Sequence, residues 1–258
     1  MKVVILAGGK GSRISEESVS KPKPMVELKG KPILWHIMKI YSHYGYHDFI
    51  ICCGYKGHMI KEYFINYHMY QTDTTFDLQN KVNISHRSIA EPWKITLADT
   101  GLEALTADRI KKIRDYLTGD EDFMLTYGDG VSDVNIPELI KFHRSHGKVA
   151  TITATQPAGR FGAIKISDLH QVKSFKEKAR KDQSWVNMGF MVLNKRIFDY
   201  LGDGSEMLEA GPFERLAAAG QMMAYQHQGF WSPMDTMHDK AYLEGLLDKG
   251  QAPWQILN

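Results

Sequence analysis

The sequence predicts an α/β fold: a Rossmann-like mixed, mainly parallel sheet flanked by helices, in one domain spanning residues 1–258. Three observations carry this. Strand-like and helix-like segments alternate along the chain, as in layered parallel sheets. The first apolar run, Val3 to Leu6, breaks straight into Gly8, Gly9 and Gly11. No linker, internal repeat or low-complexity stretch interrupts the pattern.

The elements follow in order. Val3 to Leu6 reads as a buried strand, and Lys21-Pro-Lys-Pro24 as an extended stretch held by its prolines. Pro32 opens a helix with Ile33, Leu34, Ile37, Met38, Ile40 and Tyr41 at helical spacing. Phe49 to Cys53 is a second buried strand, and Gly57 to Tyr67 a helix with Met59, Ile60, Tyr63 and Phe64 on one face. Thr74 to Leu78 and Val82 to His86 alternate as two short strands joined by Gln79-Asn-Lys81, with a further strand over Trp93 to Ala98. Thr106 to Leu117 reads as a helix capped by Thr106. Phe123 to Thr126 is a strand ending in Tyr127-Gly-Asp-Gly130, followed by a helix over Ile136 to His146 and a strand over Val149 to Thr155. Strands are then predicted at Gly162 to Ile166, Val172 to Phe175 and Val186 to Leu193, and short helices at Arg196 to Leu201 and Phe213 to Ala219. Met222 to Tyr225 is the final short strand and Met237 to Lys249 the closing helix. The added strands are read as serving substrate binding and oligomerisation.

Composition narrows the function. An apolar content of 43% over 258 residues supports a sizeable core. A net charge of +2 gives no support for a nucleic-acid partner or a membrane surface. No apolar run approaches a membrane span, and the N-terminus has no signal pattern, so a cytoplasmic protein is the default expectation. The two cysteines, Cys52 and Cys53, are adjacent, which suits small residues in a buried strand rather than a disulfide framework or zinc site.

Four features carry chemistry. Glycines at 8, 9 and 11 let backbone N–H groups approach an anion, and Arg13 and Lys23 add fixed positive charge suited to a polyphosphate. The spacing fits neither the dinucleotide G-x-G-x-x-G pattern nor a P-loop. Asp129 lies between two glycines at a strand's carboxyl end, where open α/β sheets bind ligands. It suits a Mg²⁺ ligand, and equally a turn aspartate. Asp235 follows Phe230-Trp-Ser-Pro-Met and reads either as a second Mg²⁺ carboxylate or as an N-cap. Glu177 could bind sugar hydroxyls and Lys178 a sugar phosphate, or both belong to a solvated, charged strand end.

Leu6-Ala-Gly-Gly-Lys-Gly-Ser-Arg13 with Lys21-Pro-Lys-Pro-Met25 resembles the signature of the sugar-1-phosphate nucleotidylyltransferases. The resemblance extends over nearly the whole chain and is nearest to the cytidylyl branch. It is carried by Lys31-Pro-Ile-Leu-Trp-His-Ile-Met38, Phe49-Ile-Ile-Cys-Cys-Gly-Tyr-Lys-Gly57, Glu91-Pro-Trp93, Asp99-Thr-Gly101, Phe123 to Gly130, Gly159-Arg-Phe-Gly162 and Phe230 to Asp235. It implies a Mg²⁺-dependent reaction in which CTP and α-D-glucose 1-phosphate give CDP-glucose and diphosphate, in the service of surface polysaccharide. By match to the motif, Leu6, Ala7, Gly8, Gly9, Gly11, Ser12 and Arg13 cradle the nucleotide, Lys23 contacts its phosphates, and Thr106, Arg109 and Gly128 lie near it. Arg13 and Lys23 are the implied catalytic residues, and Asp129 and Asp235 the implied metal ligands. Gly162, Glu177, Lys178 and Asn187 face the sugar phosphate. A homo-oligomer is also implied, with the strands at 72–98, including Phe76 and Trp93, as the contact region, unless those strands pack on the chain's own core.

The departures from the family pattern cluster. Thr106-Ala-Asp-Arg109 stands for Thr-Gly-Gly-Arg, Glu177-Lys-Ala-Arg180 for Glu-Lys-Pro-Lys, and Asn187-Met-Gly-Phe190 for Asn-Gly-Gly-Phe. Leu208-Glu-Ala-Gly-Pro-Phe213 loses a carboxylate at Gly211. Ala179, Met188 and Gly211 raise a different phosphorylated acceptor as an alternative to glucose 1-phosphate, and Asp108 bears on the choice of base. A nucleotide-binding protein without turnover is the reading from another class, and it requires loss of Lys23, Asp129 or Asp235, all of which are present.

Overall fold

In a computed structural model, the structure describes residues 1–11, 14–156, 163–166, 172–176 and 185–255, with backbone alone for residues 15, 16, 163–166 and 172–176. In chain order the strands are β1 (Val3–Leu6), β2 (Glu27–Leu28), β3 (Lys31–Pro32), β4 (Asp48–Cys53), β5 (Thr72–Asp77), β6 (Val82–Ser88), β7 (Lys94–Asp99), β8 (Asp122–Tyr127), β9 (Gly130–Ser132), β10 (Ala150–Thr155), β11 (Ala163–Ile166), β12 (Val172–Lys176), β13 (Val186–Asn194), β14 (Met222–Gln226) and β15 (Trp231–Pro233). The helices are α1 (Ser15–Ser18), α2 (Ile33–His43), α3 (Gly57–Tyr70), α4 (Thr106–Lys112), α5 (Ile136–His146), α6 (Pro212–Ala218) and α7 (Met237–Asp248).

Seven strands form the central sheet in the order β14-β10-β13-β8-β1-β4-β7, and within it β13 alone runs against its neighbours. The mixed, mainly parallel sheet expected from the sequence is therefore present. β1 lies in its interior, paired with β4 and β8, and all four of its residues are buried. Val3 and Ile5 join one core with α2 and α5, while Val4 and Leu6 join the opposite core with α4 and α6. That two-sided burial is why the strand reads as a continuous apolar run rather than an alternation.

Several boundaries differ from the sequence reading. The helix expected over Thr106 to Leu117 stops at Lys112 and passes into a 3₁₀ turn, Arg114–Tyr116. Leu105, not Thr106, holds the N-cap position, and the Asp108 carboxylate accepts from its N–H at 3.1 Å. Residues 195–200 form a 3₁₀ helix. Met222–Gln226 is followed by one more strand, β15, which pairs antiparallel with β9. β7 is an edge strand of the central sheet, whereas β5 and β6 form a separate hairpin. No helix among the described residues is long and apolar enough to cross a membrane.

Candidate active site

A cavity of about 670 Å³ opens at the carboxyl ends of β1 and β8, the edge at which α/β sheets bind ligands. Leu6, Ala7, Gly8, Gly9 and Gly11 form one wall. Gly128 N–H bonds the Leu6 carbonyl at 3.0 Å, closing the ends of β1 and β8 together beneath the cavity. Among the described residues the N–H groups of Gly8, Gly9 and Gly11 make no hydrogen bond, so they are available to an anion.

Arg109 holds this loop from behind. It is 4% exposed, donating from Nη2 to the Gly8 carbonyl at 3.0 Å and from Nη1 to Thr100 Oγ1, Gly101 O and Cys53 O at 2.5, 2.9 and 3.3 Å. A β-carbon on residue 8 would lie 2.2 Å from Arg109 Nη1, so glycine is required there for close approach. Arg109 lines the cavity as the sequence places it, but its guanidinium is committed to protein oxygens. Its role in this geometry is to fix the glycine loop. Burial lowers its pKa, opposed by nearby thiols and carboxylates.

Lys23 lies across the cavity in a 3₁₀ turn that follows Pro22. Its ammonium donates to Asp129 Oδ2 and Asp235 Oδ1, each at 2.7 Å. The sequence separates these carboxylates by more than a hundred residues, and the β9–β15 pairing joins them. Pro233 registers with Gly130, and Met234 N–H bonds the Asp129 carbonyl at 2.8 Å. Asp235 is not the cap of α7, since the Thr236 hydroxyl takes that role, accepting from Asp239 N–H at 3.2 Å. Two carboxylates converging on one cation position fit the hard-oxygen chemistry of Mg²⁺. No group of three or more His, Cys, Asp or Glu side chains able to hold a metal occurs among the described residues; Mg²⁺ held by two carboxylates fills its other positions with water or phosphate oxygens.

The far wall contains residues that the sequence reading did not single out. Glu209 accepts from the Tyr127 hydroxyl and, at 3.1 Å, from the Thr106 hydroxyl, which itself accepts from Leu208 N–H at 2.7 Å. Burial, then the Glu209 carboxylate, raise the Tyr127 pKa. No signal along the chain joins Thr106, Tyr127 and Glu209. Asn187 and Met188 also line this wall, and Asn187 Oδ1 accepts from Gly189 N–H at 2.9 Å. Gly189 has φ +87°, and a β-carbon there would sit 2.4 Å from the Tyr127 ring. Trp231 lines the cavity beside Gly130, with its indole N–H buried and without a partner among the described residues.

Two expectations are corrected. Gly211 is absent from the cavity wall, and a β-carbon on it would lie 2.4 Å from Glu206 Oε2. Glu206 pairs with Arg215 at 2.8 Å, so the carboxylate missing at 211 gives way to a structural ion pair at the start of α6. Asp108 points at Leu105 N–H and Ser205 rather than into the cavity. Ser12, Arg13, Gly162, Glu177, Lys178 and Ala179 lie outside the described residues.

Residues 2–248 match the family model described as nucleotidyl transferase. The chain belongs to the nucleotidyl transferase family. Within this family, proteins of Salmonella typhi and Salmonella typhimurium, both named glucose-1-phosphate cytidylyltransferase, are each 54% identical to it over 256 residues, covering 99% of this chain and 99% of theirs. Among solved structures, apo UDP-glucose pyrophosphorylase superposes with a TM-score of 0.68 at 16% identity, over 97% of this chain and 98% of that one. That likeness places the sheet and its helices in the nucleotidyl transferase fold.

Proposed function

We propose that this chain transfers the cytidylyl group of CTP to α-D-glucose 1-phosphate, giving CDP-glucose and diphosphate. The observation that carries the reading is the convergence of Lys23, Asp129 and Asp235 opposite the glycine loop, in a chain 54% identical end to end to proteins named for this reaction. Leu6 to Gly11, Ser12, Arg13 and Gly128 receive the nucleotide, with Thr106 at its border and Arg109 bracing the loop. Gly162, Glu177, Lys178 and Asn187 receive the sugar phosphate.

The sugar phosphate oxygen attacks the α-phosphorus of CTP in line. The bond from that phosphorus to the bridging oxygen breaks, and diphosphate leaves with the electron pair. A phosphate monoester is already ionised at pH 7, so no general base and no covalent intermediate are needed. The chain's contribution is position and charge: loop N–H groups hold the phosphates, and Arg13 and Lys23 offset the negative charge that builds on the equatorial and leaving oxygens. Mg²⁺, held by Asp129 and Asp235 when bound, supplies Lewis-acid stabilisation of the same charge.

Met188 lines the far wall, and the 54% identity to proteins named glucose-1-phosphate cytidylyltransferase supports glucose 1-phosphate as the acceptor. We further propose a homo-oligomer joined through the β5–β6 hairpin, where Phe76, Val82 and Ile84 are each about half exposed. Trp93 instead packs against the chain's own Phe49 and Tyr67. A panel of NTPs against several phosphorylated acceptors, read by diphosphate release, tests the assignment. CTP with glucose 1-phosphate should exceed every other pair. Bound nucleotide with no release from any pair would mark a protein that binds without turnover.

A further inference from the structure

The ammonium of Lys23 sits where a metal would. It is 2.7 Å from both Asp129 Oδ2 and Asp235 Oδ1, with a side chain only 9% exposed. We propose that Lys23 holds the cation position of the substrate-free site, so that a divalent ion enters only together with nucleotide. The inference rests on the cytidylyl-transfer reading above.

An ammonium and a divalent cation cannot share the same two carboxylate oxygens, since their charges repel at contact distance. Lys23 must therefore leave before a metal can bind. A lysine is a compact charge on a flexible four-carbon stem, so a swing of the side chain moves the charge without moving the backbone. The nucleotide supplies both halves of the exchange. Its phosphate oxygens offer the ammonium new charged acceptors on the same cavity, facing the Gly8 to Gly11 wall. They also add charged oxygen ligands to the metal beside the two carboxylates and water. Metal and nucleotide binding are then linked, and each raises the other's affinity by the same factor. Lys23 is a positioning residue for the metal before it becomes a phosphate contact.

The full chain can be titrated with Mn²⁺, followed by electron paramagnetic resonance and by melting temperature, alone and with α,β-methylene CTP. In the parent protein Mn²⁺ alone should leave the melting temperature unchanged, while Mn²⁺ with the analogue raises it. Lys23→Met removes the charge but keeps most of the stem, and should bind Mn²⁺ without nucleotide at least tenfold more tightly than the parent. Lys23→Arg should keep the exclusion. A parent whose melting temperature rises as much with Mn²⁺ alone as with Mn²⁺ plus the analogue overturns the proposal, whether or not Lys23→Met folds. So does a folded Lys23→Met that binds Mn²⁺ no more tightly than the parent. Diphosphate release by the parent from CTP and glucose 1-phosphate, run in parallel, tests the underlying reading separately. Release with equal Mn²⁺ binding in parent and variant fails this inference alone.

Discussion

Lys23 and Arg109 are both buried cations, and they do different work. Among the described residues Lys23 bonds the carboxylates of Asp129 and Asp235, in the proposed reacting centre, so Lys23→Ala should lower kcat by about two to three orders of magnitude. Turnover near that of the parent would remove Lys23 from the mechanism. Arg109 bonds four protein oxygens and no carboxylate. Arg109→Ala removes a buried side chain and the donor to the Gly101 carbonyl, while the Gly8 and Cys53 carbonyls keep the N–H groups of Tyr55 and Thr100, and should cost about 2 kcal/mol in urea unfolding; a change below about 0.5 kcal/mol would contradict the clamp. The glycine loop, Asp129 and Asp235, which the fold brings to one cavity, were legible because each sits in a short motif with its own physical signature: a glycine run, a carboxylate between glycines, a carboxylate just after a proline. Glu209 was not legible, because its meaning comes from Thr106 and Tyr127, which are distant along the chain. Gly211 was misread for the same reason. Its neighbour in space is the Glu206–Arg215 pair, and no spacing rule announces that.

Among elements, the helices with a clear apolar period, α2 and α5, appear where the sequence places them. The helix beginning at Thr106 breaks early because Ile113, at φ −101° and ψ 7°, turns the chain into a 3₁₀ segment while still burying its side chain. Periodicity alone cannot separate these two outcomes. β15 is three residues long and contains a proline, below the length at which a strand pattern can be read. Yet it brings Asp235 to Asp129. The β5–β6 hairpin was legible from alternation, and every residue of β6 is exposed. A two-stranded hairpin is marginal in isolation, which argues for a covering partner. Ile84→Lys should shift light scattering to a smaller species while leaving unfolding of the core unchanged. A parent protein that is already a monomer would end the oligomer proposal.

For the whole molecule, the class of fold could be read from the alternation of elements. The strand order could not, because non-neighbouring strands are paired by packing on both faces of β1 rather than by proximity in the chain. The fold also carries a pH dependence. His36 is 3% exposed beneath Leu28 and Trp254, and burial pushes its pKa down to about 4. Burial likewise lowers His143 and His146, which both contact the Thr151 hydroxyl. The unfolded chain takes up these protons first as pH falls, so their contribution to stability is full above about pH 6.5 and declines below it, that of His36 being lost towards pH 4. For His36 the loss amounts to about 3 kcal/mol. Melting temperature should fall across that window, and His36→Phe should flatten the slope; a flat profile in the parent would contradict the burial argument. The most direct test of cytidylyl transfer is a ³¹P NMR time course with CTP, α-D-glucose 1-phosphate, Mg²⁺ and the protein in one tube. The expected result is matched growth of the paired CDP-glucose resonances and the diphosphate signal as both substrates decline. Persistence of CTP and glucose 1-phosphate, or diphosphate without CDP-glucose, would contradict it.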